Sequence, residues 1–256
     1  MKRVEIGSIL ANTEISPGIF SMTIHLPLIA ADCVPGQFVM LYLDRGDTLL
    51  PRPISICDAD CEEGSLTLVY QVVGSGTAHL SGLKPGASLR ILGPLGNGFA
   101  QKNGLRSAAL VGGGIGAPPL LMLAKQLRGR GVALDACLGF RDTSILTDEF
   151  TALGAQVHIA TDSGREGLRG TVIDLLRAHN LHPDEIFACG PKPMLSALAG
   201  YARQHNIPCQ VCLEERMACG LGACVGCVVK SQGKPEYKKV CCDGPVFYTD
   251  EVVLDG

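Results

Sequence analysis

Five cysteines crowd one stretch of the chain, Glu214 to Val246, which reads EERMACGLGACVGCVVKSQGKPEYKKVCCDGPV. Cys219, Cys224 and Cys227 stand at C-x4-C-x2-C, and the adjacent pair Cys241 and Cys242 follows. Three thiolates close together and a fourth some distance on form the donor set of a [2Fe–2S] cluster, which takes four thiolates. Three donors from one tight loop must turn inward around a small inorganic core, and Gly220, Gly222, Ala223 and Gly226 fill the gaps between them. Glycine enters unusual backbone angles without steric cost and lets amides approach the cluster sulfurs. Zinc is the weaker reading, because a zinc site usually shows two separated C-x-x-C pairs. A disulfide framework belongs to small secreted chains. Spacing alone leaves the fourth donor open between Cys241 and Cys242.

The middle of the chain carries phosphate chemistry instead. Ala108-Ala109-Leu110-Val111 reads as a short buried strand, and Gly112-Gly113-Gly114-Ile115-Gly116-Ala117-Pro118-Pro119 follows it. A helix is predicted over Leu120 to Arg128. Strand, glycine-rich turn and helix N-terminus make a phosphate cradle, although the strict G-x-G-x-x-G is absent. Further strands are predicted at Ala133–Gly139, Gln156–Thr161 and Glu185–Cys189, with a helix at Val172–His179. Such alternation implies a parallel sheet with ligands at the carboxyl ends of its strands. The strand ending at Cys189 runs into Gly190-Pro191-Lys192-Pro193-Met194. Taken alone, Cys189 is a buried cysteine before a turn. Cys209 and Cys212 form a C-x-x-C, but Ile207 to Leu213 reads as the last strand of the sheet, where these two side chains point to opposite faces.

Residues 1 to about 102 read as short strands between turns: Ile19–Leu26, Phe38–Leu43, Ser65–Val73 and Ser88–Leu92, with Pro35-Gly36 and Lys84-Pro85-Gly86 as punctuation. That pattern suggests a small barrel. Three places in it could do chemistry: Arg52-Pro53-Ile54-Ser55, Gly74-Ser75-Gly76-Thr77, and Gly93-Pro94-Leu95-Gly96. Each is weak singly.

Together and in this order, these motifs resemble the ferredoxin reductase superfamily. The whole length resembles one branch of it, the electron-transfer subunits of NAD-dependent, B-type dihydroorotate dehydrogenase. RPISI, GSGT, GGGIGAPPL, CGPKPM, LEERMACGLGACVGCVV and VCCDGPVF carry the match, the last two most specifically. The resemblance implies an antiparallel flavin barrel (1–102), an α/β nicotinamide domain with a parallel sheet (103–213) and a small [2Fe–2S] domain (214–256). It implies that Arg52 contacts the FAD diphosphate and Ser55 sits near the flavin ring, with Pro53 and Ile54 between them. Gly74, Ser75, Gly76 and Thr77 would open a helix toward the same diphosphate, and Tyr70, Gln71 and Val72 would touch the flavin. Many members have an aromatic residue where this chain has Ile54. Gly113, Gly114, Ile115, Gly116, Gly190 and Pro191 would hold NAD, with Cys189 against the nicotinamide. The segment after the third strand, Thr161 to Arg165, is where relatives that use NADP often place a basic residue. Asp162 would repel a 2′-phosphate and bond a free 2′-hydroxyl, which favours NAD, with Arg165 close by. The registered motif makes Cys241 the fourth cluster ligand. The implied partner is an FMN-containing catalytic subunit, two copies of each chain forming a heterotetramer, with electrons passing from its FMN through [2Fe–2S] and FAD to NAD⁺. A related subunit of an NAD(P)-linked ferredoxin oxidoreductase, hydrogenase or sulfite reductase is the alternative.

Composition is consistent with this. At 256 residues, 46% apolar and 18% charged, the chain supports a sizeable core. A net charge of −3 offers no basic face for nucleic acid, and no apolar run suggests a membrane span. The start, MKRVEIGSILANTEI, lacks the unbroken apolar stretch of a signal peptide, and twelve cysteines without one point to a reducing, cytoplasmic setting. The three modules use all 256 residues, whereas a barrel to oxidise dihydroorotate needs about another 250, so the resemblance implies that the substrate half of the reaction belongs to another polypeptide.

Overall fold

The computed structural model describes residues 1–43, 49–233 and 236–254. The first third forms β1 (Arg3–Ser16), β2 (Ile19–His25), α1 (Pro27–Asp32), β3 (Phe38–Tyr42), β4 (Arg52–Asp60), β5 (Ser65–Gln71), α2 (Ser75–Gly82) and β6 (Ser88–Leu95). Its six strands close into an antiparallel barrel in the order β1-β2-β5-β4-β3-β6, sealed by pairing of β1 with β6. Alternation sets two faces on each strand. On β3, Val39 and Leu41 join the barrel core, while Phe38 and Met40 point outward into a second core.

The next segment comprises β7 (Ser107–Gly113), α3 (Leu121–Gly129), β8 (Ala133–Phe140), α4 (Thr147–Ala152), β9 (Gln156–Thr161), β10 (Leu168–Arg169), α5 (Val172–Ala178), β11 (Glu185–Cys189), α6 (Lys192–His205) and β12 (Cys209–Cys212). The tail adds a hairpin, β13 (Val228–Lys230) with β14 (Tyr237–Lys239), and a last strand β15 (Val246–Tyr248). The large sheet runs β10-β9-β8-β7-β11-β12-β15, parallel throughout except for β15. Strand order reverses between β7 and β11, and open α/β sheets bind ligands at the carboxyl ends beside such a switch.

Two expectations are adjusted here. β12 is not the edge of the sheet, because β15 pairs outside it. The glycine turn after β7 does not open directly into a helix: two 3₁₀ turns, Gly114–Gly116 and Pro118–Leu120, intervene before α3. Pro118 and Pro119 lack the N–H groups that a longer helix would use beyond its first turn. The C-x-x-C reading holds, with Cys209 in the core on one face of the sheet and Cys212 in the core on the other.

The cysteine-rich segment is wedged between the barrel and the sheet. Cys227, Val229, Val240, Cys241 and Phe247 share one core with the outward residues Phe38, Met40, Leu92 and Leu95 of the barrel and with Val211 of β12. No helix among the described residues is long and apolar enough to cross a membrane.

Candidate flavin, nicotinamide and iron–sulfur sites

A cleft of about 780 Å³ opens on the barrel between β4, β5, α2 and the stretch that follows β12. Arg52, Pro53, Ile54, Ser55, Tyr70, Gln71 and Thr77 line it. The Arg52 guanidinium lies directly on Gly76 in the first turn of α2, so that a Cβ at Gly76 would collide with it. Thr77 closes that turn: its hydroxyl accepts the Val73 amide at 2.9 Å and the Gly74 amide at 3.2 Å, and donates to the Gly74 carbonyl at 3.1 Å. A guanidinium beside a helix N-terminus suits a diphosphate. Val72, Gly74, Ser75 and Gly76 are not among the residues that line it. Tyr70 is buried, its ring stacked on Phe20 and its hydroxyl donating to Asn12 Oδ1 at 3.1 Å, and burial pushes that phenol up to about 12. Gln71 is exposed.

A second cleft of about 900 Å³ lies at the switch point between β7 and β11. Gly113, Gly114, Ile115, Gly116, Asp162, Gly190 and Pro191 line it. Here the two sequence motifs touch, for a Cβ at Gly116 would run into the Cys189 carbonyl. Cys189 itself lies behind the wall, fully buried and paired in register with Cys212 on the neighbouring strand. The Cys212 thiol beside it, then burial, push the Cys189 thiol well up, so it stays neutral.

Two charged residues in these clefts had no role assigned from the sequence: Arg141 lies outside the motifs, and Glu214 opens the cysteine-rich one. Arg141 lines the second cleft at the end of β8, near Asp162. Glu214 lines both clefts just past β12. Its side chain is open to cleft water, yet protein atoms surround it, and that burial raises its carboxyl. The topological rule that strand ends gather ligands could have flagged both. Gln71, Ile115 and Glu214 wall both clefts.

The cysteine loop, residues 214–226, has no regular secondary structure. Cys219 Sγ accepts the amides of Leu221 and Cys224, each at 3.4 Å. Burial opposes ionisation of this thiol, but amide bonds from Leu221, Cys224 and Ala223 outweigh it and bring it down to about 6. The β13–β14 hairpin then folds the chain back, so that Val240 N donates to the Cys227 carbonyl at 2.8 Å and Cys241 N to Cys227 Sγ at 3.4 Å. Cys227 and Cys241 are buried, Cys219 is half-buried and Cys224 exposed. Burial, with the Cys227 and Cys242 thiols alongside, pushes Cys241 up. As thiolates Cys227, Cys241 and Cys242 would repel one another, and a cationic iron core would relieve that repulsion. Cys242 Sγ lies over Gly222, 2.6 Å from where a Cβ would stand, and 3.6 Å from Cys241 Sγ. Among the described residues no three His, Cys, Asp or Glu side chains converge on a single-ion site. The all-sulfur donor set and its amide hydrogen bonds fit an iron–sulfur cluster.

The comparisons with known proteins agree with this geometry. Residues 214–253 match the iron–sulfur cluster binding domain of dihydroorotate dehydrogenase B, and residues 7–99 match the oxidoreductase FAD-binding domain. The dihydroorotate dehydrogenase B (NAD(+)) electron transfer subunit of Bacillus caldolyticus is 48% identical over 242 residues, covering 92% of this chain and 93% of that one. This chain belongs to that family. The same subunit of Geobacillus kaustophilus strain HTA426 is 46% identical, over 92% of this chain and 93% of its own length. Among solved structures, a chain of the NADH-dependent reduced ferredoxin-NADP oxidoreductase superposes with a TM-score of 0.88 at 32% identity, covering 97% of this chain and 90% of that one. The family membership accords with an FAD-binding barrel, a parallel-sheet domain and an iron–sulfur domain in an oxidoreductase subunit.

Proposed function

We propose that this chain carries electrons between NAD⁺ and a dihydroorotate-oxidising partner subunit, by way of FAD and a [2Fe–2S] cluster. The contiguity of the three sites supports this most. Gln71, Ile115 and Glu214 wall both clefts, and Met217 and Pro245, from the cysteine-rich segment, line the flavin cleft. FAD bound there would exchange hydride with nicotinamide and single electrons with the cluster.

The chain's own residues bind and orient. Arg52 pairs with the diphosphate as a planar fork, over a Gly76 that leaves room for it. Ser55 and Ile54 face the flavin cleft. Gly113 to Gly116, Gly190 and Pro191 shape the nicotinamide cleft, with Cys189 backing that wall from behind. Asp162 bonds the ribose and favours NAD, although Arg141 shares the cleft, so steady-state rates with NADH and NADPH test that preference. Cys219, Cys224, Cys227 and Cys241 hold the cluster. Modules at 1–102, 103–213 and 214–256 divide the work.

The relatives' naming as an electron transfer subunit implies a separate catalytic chain. We assign that chain the FMN and the dihydroorotate site, in a cytoplasmic heterotetramer of two copies each. Leu221 and Val225, both exposed on the cysteine loop, suit its contact. The ferredoxin-NADP oxidoreductase likeness favours a rival partner, but at lower identity than the dihydroorotate dehydrogenase subunits. The test is direct. The isolated chain passes electrons from NADH to dyes and leaves dihydroorotate untouched, and mixing with the catalytic chain creates NAD-dependent dihydroorotate oxidation. Dihydroorotate turnover by the isolated chain, or a native complex built with hydrogenase or sulfite-reductase subunits, would overturn this reading.

A further inference from the structure

Gly93-Pro94-Leu95-Gly96 lines neither cleft. Instead it delivers Asn97 to the cysteine-rich segment. The Asn97 main-chain amide donates to the Gly244 carbonyl, and the residue forms an isolated β-bridge with Pro245. Its side-chain Nδ2 donates to the carbonyls of Asp243 at 3.1 Å and Cys242 at 3.4 Å. Both partners are carbonyls, so only the nitrogen end of the amide can face them. Gly96 must stay bare, because a Cβ there would strike Pro245 and the Gly244 carbonyl. Gln37 Nε2 fixes the Gly96 carbonyl at 2.8 Å.

What Asn97 grips is the run that bears Cys241. On its other side this run is tied to the cluster loop and hairpin, by Cys241 N on Cys227 Sγ and by Lys239 N on Asp243 Oδ2 at 2.6 Å. On the barrel side Phe38, next to Gln37, lines the flavin cleft, and Pro245 at the end of the gripped run lines it too. Asn97 therefore joins the wall of one cofactor site to the segment that presents a ligand of the other.

We propose that Asn97 is a positioning residue for the iron–sulfur cluster, fixing the Cys241 segment against the flavin barrel. The proposal rests on the reading of Cys241 as fourth ligand. The full-length chain loaded with FAD and cluster tests it, as parent, Asn97→Ala, Asn97→Asp and Asn97→Ser. Asn97→Asp keeps the shape but turns an oxygen toward two carbonyls, and Asn97→Ser keeps a shorter donor. Iron and FAD per chain, the electron paramagnetic resonance spectrum of the reduced cluster and the rate of cluster loss to a chelator are measured. FAD content stays at the parent level in all three. Cluster loss quickens about threefold or more in Asn97→Ala, further in Asn97→Asp and least in Asn97→Ser, as expected for removing a hydrogen bond. The resonance lines shift in the same order. Parent-like spectra and loss rates in Asn97→Ala and Asn97→Asp, with only a lower melting temperature, would make the residue merely structural and overturn the proposal. So would loss of FAD together with iron in Asn97→Ser. A parent chain that binds no cluster sinks the functional reading itself, and this proposal with it.

Discussion

At Arg52 a charged fork lies along the first turn of α2 with nothing larger than glycine beneath it. A charge-assisted hydrogen bond contributes about 1.5–3 kcal/mol, so Arg52→Ala should weaken FAD binding by about tenfold or more. Fluorescence titration with FAD, alongside iron content, checks it: the cluster remains while the flavin is lost, and parent-like FAD affinity would reduce Arg52 to a surface residue. A second residue-scale test separates the adjacent cysteines. Cys241→Ser should lose iron and Cys242→Ser should keep it, because the Cys241 amide reaches Cys227 Sγ whereas Cys242 Sγ lies over Gly222. The reverse result in iron per chain would mean the wrong neighbour was chosen. Motifs made most of these residues legible, since each motif groups side chains that are close in sequence. The cleft positions of Glu214, within a motif read only for its cysteines, and of Arg141, outside any motif, were not legible, because each depends on where β12 or β8 ends in the sheet. Cys189 shows the opposite limit, a motif residue whose neighbours form the cleft wall while its own side chain faces Cys212.

At the scale of elements, β9 and β11 occupy the ranges the sequence pattern predicts, and the other predicted strands shift by a few residues at their ends. β1 gave no signal because apolar residues lie on both of its faces: Val4, Ile6 and Leu10 face solvent while Gly7 and Ile9 are buried. α6 was hidden behind CGPKPM, which reads as a turn, although Pro193 sits in the first helical turn where a missing N–H is harmless. Elements are also joined by polar contacts that no periodicity reveals. Gln210 on β12 accepts the Ala100 amide at 2.8 Å, and its Nε2 donates to the Ala100 carbonyl at 2.7 Å and to buried Glu185 Oε1 at 2.9 Å. Glu185 Oε2 already has no partner. Gln210→Leu should therefore cost about 1–3 kcal/mol by leaving the Ala100 backbone without its partner and the buried carboxylate with only Lys102 Nζ, at 3.4 Å. Denaturant unfolding measures it, and a change near zero would mean that the link after the barrel is anchored elsewhere.

For the whole molecule, composition and motif order predict three modules in series, and the family matches fall on the first and the last. What the order could not tell is that the last module completes the second. β15 comes from beyond the cysteines, yet it pairs with Gln210, Val211 and Cys212, and Phe247 is buried in the core that holds Val211. Leu213 N donates to the Pro245 carbonyl at 2.9 Å and Thr249 N to the Cys209 carbonyl at 3.0 Å. A chain ending at Leu213 would strip this strand away and leave β12 as an exposed, apolar edge, the kind that invites aggregation. It would also bare the outward face of β3 and β6, where Met40 and Leu95 pack under Gly220. The prediction is that this shortened chain is poorly soluble and melts well below the full-length protein. It should also bind FAD weakly, since Glu214, Met217 and Pro245 vanish from the flavin cleft. Soluble yield, the thermal transition and FAD stoichiometry decide it. A shortened chain that melts cooperatively at the full-length temperature with FAD in place would mean that the nicotinamide module folds independently of the tail, and that β15 adds only a dispensable edge.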